Sequence, residues 1–520
     1  FGGKKGADKP QYTFYNFDGE VEMKTFAQVN YDLTGLGQYL YKLGLRGKKV
    51  AILSENSYYW IACYFSIITG KITAVPMDPK LPDDDIIDIM IRSGCNAIYY
   101  SDDFKDTVEK MKKTDGVVIE QYIKIEDFYS MVEEGHNEVK NGVESYLEDD
   151  VLPSDLAFLV YTSGTTGKSK GVMLSQENVA ADSVASCRVM TGGPAIGFLP
   201  LHHAFSWVGA LFSGNLLTEW GFICRSLKDI QKDMNTYHPQ NFSAVPLAVE
   251  TIYKKIWFTA KKSGREEMLK KGLKISNFLL KLGIDKRRKI FSEILNNLGG
   301  NLEMIVCGGA YLDEQYEKGM EAFGIKIING YGITECSPAV TCNRLDAYKV
   351  GSVGIPLPCN EIKIKDPDED GIGEICVKGK NVMVGYYNDP EATAEVFDGD
   401  WFLTGDYGYI DEDGFLFFKG RKKNLIILSN GKNVSPEEIE DKLSTIDYVK
   451  EVVVYEEKGY ITAEFFLDTV ETPDAKGRIK ADVNEINRKM PSYKQVTRIK
   501  TRDNEFPKTT TLKILRDYKK

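Results

Sequence analysis

No two of the nine cysteines stand at Cys-x-x-Cys spacing, and their number is odd. Cys63, Cys95, Cys187, Cys224, Cys307, Cys336, Cys342, Cys359 and Cys376 are scattered along the chain, which excludes a disulfide framework or a cysteine-built zinc site and predicts reduced thiols. Long apolar runs are absent as well. The most apolar stretch, Trp60 to Met77, is broken by Ser66, Gly70 and Lys71, so no segment reaches the ~18–20 residues of a bilayer span. No signal peptide is visible, and a cytoplasmic setting is expected. A basic excess is missing too: the net charge is −10, and general nucleic-acid binding needs the opposite sign. Histidine is rare, with four in the chain.

What is present is an ordinary globular balance, 42% hydrophobic and 27% charged residues over 520 positions. One folding unit per ~150 residues gives three or four units. Strand-like and helix-like segments alternate: KKVAILSEN (48–56) and ITAVPMDP (72–79) as strands flanking a buried helix, SYYWIACYFSIITG (57–70). The rhythm continues through AIYYSDD (97–103), AFLVYTS (157–163), GFLPLHH (197–203), LEMIVCGGA (302–310) and IKIINGYG (325–332). Strand–helix–strand order predicts an α/β fold of parallel or mixed sheets with covering helices. After residue 350 short strands separated by Gly, Asp and Asn turns predict a β-rich subdomain (350–419), with WFLTGD (401–406) and YGYID (407–411) as separate strands. A compact α+β pattern follows, and a domain boundary is expected near Gly420–Asn424.

The most informative segment is Tyr161–Gly171. It follows a buried strand and crowds Thr162, Ser163, Thr165 and Thr166 with Gly164, Gly167, Gly171, Lys168 and Lys170. Glycines let backbone N–H groups turn toward an anion, the hydroxyls donate to phosphate oxygens, and Lys170 offsets their charge. A Walker A loop is disfavoured, because only two residues separate Gly164 from Gly167 where that motif needs four. The segment resembles the TSGTTGxPKG loop of the adenylate-forming superfamily, which includes acyl-CoA synthetases, luciferases and peptide-synthetase adenylation domains. Ser169 stands where most members have Pro.

Further segments match that family in order along nearly the whole chain, and the resemblance implies their roles. Asn329-Gly330-Tyr331-Gly332-Ile333-Thr334-Glu335 resembles the motif at the adenine and α-phosphate: Tyr331 would stack on the base, Thr334 would bond the α-phosphate, and Glu335 would hold Mg²⁺, with Thr162 as second protein ligand. Gly308, Gly309 and Ala310 resemble the small-residue wall beside adenine and substrate. Asp406, in Thr404-Gly405-Asp406, would hold the ribose hydroxyls, with Arg421 adding a contact to ribose or phosphate. Lys423 falls at the hinge (420–423) between a large domain (1–419) and a small mobile lid domain (424–520), and Gly431 would line a channel for the thiol. Lys513, in Pro507-Lys-Thr-Thr-Thr-Leu-Lys513, falls at the catalytic lysine, although Leu512 replaces the usual Gly. There it would steady the transition state as a carboxylate meets a phosphate.

His203, in Leu199-Pro-Leu-His-His-Ala-Phe-Ser-Trp207, matches the family's histidine beside the substrate carboxylate. Ala204 looks like the position of the Asp that pairs with the ammonium of amino-acid substrates, and an amino acid would leave that ammonium buried and unpaired. From Lys254 to Lys289 thirteen Lys/Arg face Glu266, Glu267 and Asp285, so the remainder carries about −20. The segment LKISNFLLKLGIDKRRKIF resembles an insertion of long-chain fatty acyl-CoA synthetases, and a basic amphipathic patch over 254–291 suits peripheral contact with an anionic membrane. Phe205, Trp207 and Val245 are candidate liners of an acyl tunnel.

The resemblance therefore implies an enzyme that uses ATP and Mg²⁺ to convert a carboxylic acid, best read as a medium- or long-chain fatty acid, to acyl-AMP and passes the acyl group to coenzyme A. The alternatives are a ligase that loads a carrier-protein phosphopantetheine, an aryl-acid–CoA ligase and, in a different class, a non-catalytic nucleotide-binding homologue.

Overall fold

The computed structural model describes residues 6–162, 169–188, 193–207, 221–224, 230–427, 433–508, 514 and 516. Three sheets build the larger part of the chain. The first has seven strands, in the order 385–386, 170–175, 156–162, 73–76, 49–53, 97–100 and 121–124. Its members from 156–162 to 121–124 run parallel, and 170–175 and 385–386 are added antiparallel. The second has nine strands, in the order 355–356, 339–342, 326–332, 304–307, 241–244, 195–197, 221–223, 10–15 and 21–25. It is parallel in the middle and antiparallel at both ends. The third is antiparallel, with 401–410 between 373–379 and 416–421.

Parallel strands are buried on both faces and need helical cover. The helix Tyr58–Ile68 supplies it with every residue buried; the Ser57 hydroxyl starts it by accepting from the Trp60 N–H (3.0 Å). Two readings change in detail. Of GFLPLHH only Gly197 lies in a strand, Ala195–Gly197; beyond it Asn56 takes over the backbone, donating to the Leu199 carbonyl (2.8 Å) and accepting from the Leu201 N–H (2.9 Å). WFLTGD and YGYID are one strand, Trp401–Ile410. The expected break survives only as register shifts beside Tyr407, because the Thr404 hydroxyl ties the neighbouring strand's Ile375 carbonyl (2.7 Å) and the Asp406 N–H (3.1 Å) together.

The C-terminal α+β unit has helices Pro436–Ser444 and Ala475–Asn487 beside strands 449–457, 460–467 and 498–502. Val434, Leu443, Val454, Phe465 and Val483 belong to a hydrophobic cluster of its own. No helix among the described residues is long and apolar enough to cross a membrane.

The helices Phe26–Lys42 and Phe128–Lys140 touch backbone to backbone: a Cβ on Gly135 would lie 1.8 Å from the Gly35 carbonyl oxygen. Gly135→Leu is expected to force them apart at a cost of about 1–3 kcal/mol or more, read as a lower midpoint in denaturant unfolding.

Candidate active site

Among the described residues, several of the sequence-predicted ones lie where the three sheets meet. Strand Lys326–Gly332 of the nine-stranded sheet delivers Asn329, Gly330, Tyr331 and Gly332, and a 3₁₀ turn, Thr334–Cys336, carries Thr334 and Glu335. A Cβ on Gly332 would sit 2.3 Å from the Pro338 carbonyl oxygen, so the chain can double back there only with glycine. Tyr331 reaches the antiparallel sheet and donates its phenol to Asp406 Oδ2 (2.8 Å). Asp406 is 2% exposed, and Arg421, paired with it across the strands, puts Nε 3.4 Å from Oδ1. Burial, then Asp406 itself, pushes the Tyr331 phenol far above its ordinary value, which keeps it a donor.

On the other side, Thr162 ends its strand opposite Lys170. The Lys170 ammonium lies 4.7 Å from the centroid of the Tyr386 ring, and the Tyr386 hydroxyl donates to Glu335 Oε1 (3.0 Å). Gly308 and Gly309 follow the buried strand Met304–Cys307; Cβ atoms built on them would meet Phe205 (3.6 Å) and Val245 (4.0 Å). Ala310 is exposed beside them. Trp207 is fully buried and stacked on Phe158 (centroids 4.2 Å apart), a core position rather than a tunnel wall. Of the adjacent histidines, His202 faces Asp78 (3.4 Å), whereas His203 Nδ1 accepts from the Phe205 N–H (3.3 Å). A neutral His203 in that bond carries its proton on Nε2. Lys423 lies in a 3₁₀ turn, Lys422–Asn424, just after the strand that bears Arg421. Ser163, Gly164, Thr165, Thr166, Gly167, Gly431 and Lys513 lie outside the described residues.

Side chains that sequence reasoning missed hold this arrangement from behind. Arg92 donates to the Ser169 carbonyl (2.6 Å) and hydroxyl (2.7 Å) and lies 4.9 Å from the Tyr161 ring centroid. The serine that replaces proline thus gains a guanidinium clamp. Asn381, fully buried, donates to the Cys336 carbonyl (2.8 Å), the Ala339 carbonyl (2.9 Å) and Asp182 Oδ1 (3.1 Å), and the Met383 N–H donates to the Glu335 carbonyl (2.8 Å). Burial pushes the Asp182 carboxyl well above the carboxylate range. None of the nine cysteines is in a disulfide; burial raises the thiols of Cys307, next to Gly308, and Cys336, next to Glu335.

Chemically, the site offers hard oxygen donors, a stacking ring, a buried carboxylate and a lysine. No group of three or more acidic, histidine or cysteine side chains among the described residues could hold a metal alone. That donor set fits Mg²⁺ shared with a ligand's phosphates, the usual way this cation is bound.

Residues 3–387 match the family described as AMP-binding enzyme, and residues 423–518 match its C-terminal domain. The chain belongs to the AMP-binding enzyme family. It is an acid–thiol ligase of the adenylate-forming kind. This AMP-binding enzyme is 30% identical over 491 residues to Long-chain-fatty-acid–CoA ligase 5 of Mus musculus, covering 86% of this chain and 71% of that protein. It is 29% identical over 556 residues to Long-chain-fatty-acid–CoA ligase of Escherichia coli O6:H1, covering 98% and 91%. Its fold is that of the anthranilate CoA ligase AuaEII in complex with anthranoyl-AMP, with a TM-score of 0.79 at 21% identity over 98% of this chain and 93% of that one.

Arg92→Leu is expected to free Ser169, at the end of the glycine- and hydroxyl-rich segment. ATP titrations should then show a KM raised about five- to tenfold, the scale of losing an ordinary net hydrogen bond, with the thermal midpoint nearly unchanged.

Proposed function

We propose that this AMP-binding enzyme activates a medium- or long-chain fatty acid with ATP and Mg²⁺ and transfers the acyl group to coenzyme A. The observation that carries the reading is the buried Tyr331–Asp406 hydrogen bond (2.8 Å) beside the Glu335–Tyr386–Lys170 group, a ring and carboxylate next to metal- and phosphate-binding chemistry. Two relatives named as long-chain fatty acid–CoA ligases support the choice of acid.

In this reading adenine lies on Tyr331 between Asn329, Gly330, Gly332 and the wall Gly308–Ala310, and Asp406 and Arg421 take the ribose. Thr334 contacts the α-phosphate. Ser163 to Gly167 and Lys170 cradle the β- and γ-phosphates. Glu335 and Thr162 would hold Mg²⁺, which supplies charge neutralisation on the phosphate oxygens. The His203 Nε2–H orients the acid carboxylate. A carboxylate oxygen attacks the α-phosphorus, the bond to the bridging oxygen breaks, and pyrophosphate leaves, while Lys513 bridges the two anions. After the unit 424–520 turns about Lys423, the thiol enters past Gly431, its sulfur attacks the acyl carbonyl, and AMP leaves.

The segment 254–291 is proposed to rest on an anionic membrane, which stores the acid. On the helix Glu266–Lys281 only Leu269 and Ser276 are buried. Met268, Ile275, Phe278 and, one residue past its end, Leu282 are each more than half exposed, at the i, i+7, i+10, i+14 spacing of one helical stripe. Lys271, Lys274 and Lys281 flank the stripe. Apolar side chains turned outward among lysines are the pattern of an interfacial helix.

Three measurements test these readings. A panel of acids with ATP, Mg²⁺ and CoA should release AMP and pyrophosphate with C8–C18 acids; turnover with aryl acids alone would replace the fatty acid, and ADP formation would end the adenylate reading. Lys513→Ala should lower acid-dependent pyrophosphate exchange by roughly 10²–10³. The enzyme should co-sediment with phosphatidylglycerol vesicles but not phosphatidylcholine ones, and Ile275→Asp/Phe278→Asp should remove that binding; equal sedimentation of this variant and the wild type refutes the contact.

A further inference from the structure

Lys170 and Glu335 carry opposite charges on the same side of the site, yet among the described residues they form no ion pair with each other. One side chain engages both. The two-residue strand Gly385–Tyr386 pairs antiparallel with Lys170–Ser175, with Tyr386 opposite Val172. Side chains alternate along a strand, so Tyr386 shares a face with Val172 and therefore with Lys170, two residues earlier. Its ring lies 4.7 Å from the Lys170 ammonium, and its hydroxyl donates to Glu335 Oε1 at 3.0 Å. The strand cannot drift: the Tyr386 N–H donates to Thr393 Oγ1 (2.9 Å), and the flanking N–H groups of Val384 and Tyr387 donate to the Met173 (3.0 Å) and Gly171 (2.7 Å) carbonyls. Tyr386 is 8% exposed.

We infer that Tyr386 is a positioning residue that keeps the phosphate-binding lysine and the metal-binding carboxylate apart and aimed. A bare Lys170 and Glu335 would collapse into a salt bridge, withdrawing the lysine from phosphate and the carboxylate from the cation. The phenol gives each another partner: a ring face for the ammonium, and a donor for one carboxylate oxygen, which turns the carboxylate as outer-shell donors turn metal ligands. The inference rests on the roles proposed above for Lys170 and Glu335.

The two halves separate by substitution. Tyr386→Phe keeps the ring and removes the donor; Tyr386→Leu removes both. By calorimetry, Tyr386→Phe should bind ATP with Mn²⁺ roughly tenfold more weakly, at the low end for an outer-shell partner, while its affinity for ATP in EDTA stays that of the wild type. Tyr386→Leu should weaken both, the metal-free binding by about two- to fivefold. In turnover, the KM for Mg²⁺ should rise more in Tyr386→Phe than kcat falls at saturating Mg²⁺. Wild-type Mn²⁺·ATP affinity in Tyr386→Phe overturns the inference, and this variant carries the test even if Tyr386→Leu does not fold. Glu335→Gln is the control. If it too binds Mn²⁺·ATP like the wild type, the metal assignment to Glu335 has failed; if it loses binding while Tyr386→Phe does not, only the role given to Tyr386 has.

Discussion

A buried carboxylate is costly unless a hydrogen bond or a nearby opposite charge offsets it, and that cost shapes the centre of this candidate site. Asp406 is almost completely enclosed, and Tyr331 reaches it from another sheet. The bond is one of the contacts through which the nine-stranded and antiparallel sheets meet, beside the Val353–Leu416 and Leu416–Gly354 backbone bonds. Glu335 lies one 3₁₀ turn beyond Tyr331, and Arg421 is paired beside Asp406. Each lands within the site because the tyrosine and the aspartate do. The seven-stranded sheet joins through its short edge strand, whose Tyr386 reaches Glu335. Polar contacts between Tyr331 and Asp406 and between Tyr386 and Glu335 thus bridge the three sheets at this point, over a hydrophobic cluster that all three share.

The parts of this site that were legible in the sequence are those whose chemistry is local. The alternation of strands and helices announces an α/β fold, and that is the fold found, whereas the glycine- and hydroxyl-rich loop is a local signal that falls mostly outside the described residues. What stayed hidden depends on register between distant segments. Arg92 meets Ser169 across 77 positions and Tyr386 meets Glu335 across 51; neither pair has spacing that a single sequence exposes. The same limit applies to GFLPLHH. Its apolar content suits a strand, but Asn56, far upstream, captures the backbone that strand pairing would need.

Periodicity has its own blind spot, seen in the helix Glu266–Lys281. An apolar stripe at helical spacing is the same pattern whether it faces a core or solvent. Here the stripe faces out and the buried side is nearly bare, with Leu269 in a small cluster with Phe291 and Phe323. Leaving large apolar side chains in water forgoes about 1.5–3 kcal/mol apiece. A stripe with several such residues on one face is the kind of contiguous exposed surface that marks an interaction site.

The enclosed cysteines have a consequence for fidelity. A mixed anhydride of a carboxylic and a phosphoric acid is a strong electrophile, and any thiolate within reach could divert the acyl group onto the enzyme itself. Cys307 and Cys336 adjoin Gly308 and Glu335, yet burial holds both as thiols, and a thiol is a far poorer nucleophile than its anion. With both thiols buried and raised, a sulfur that arrives from outside is the better placed nucleophile for such an anhydride.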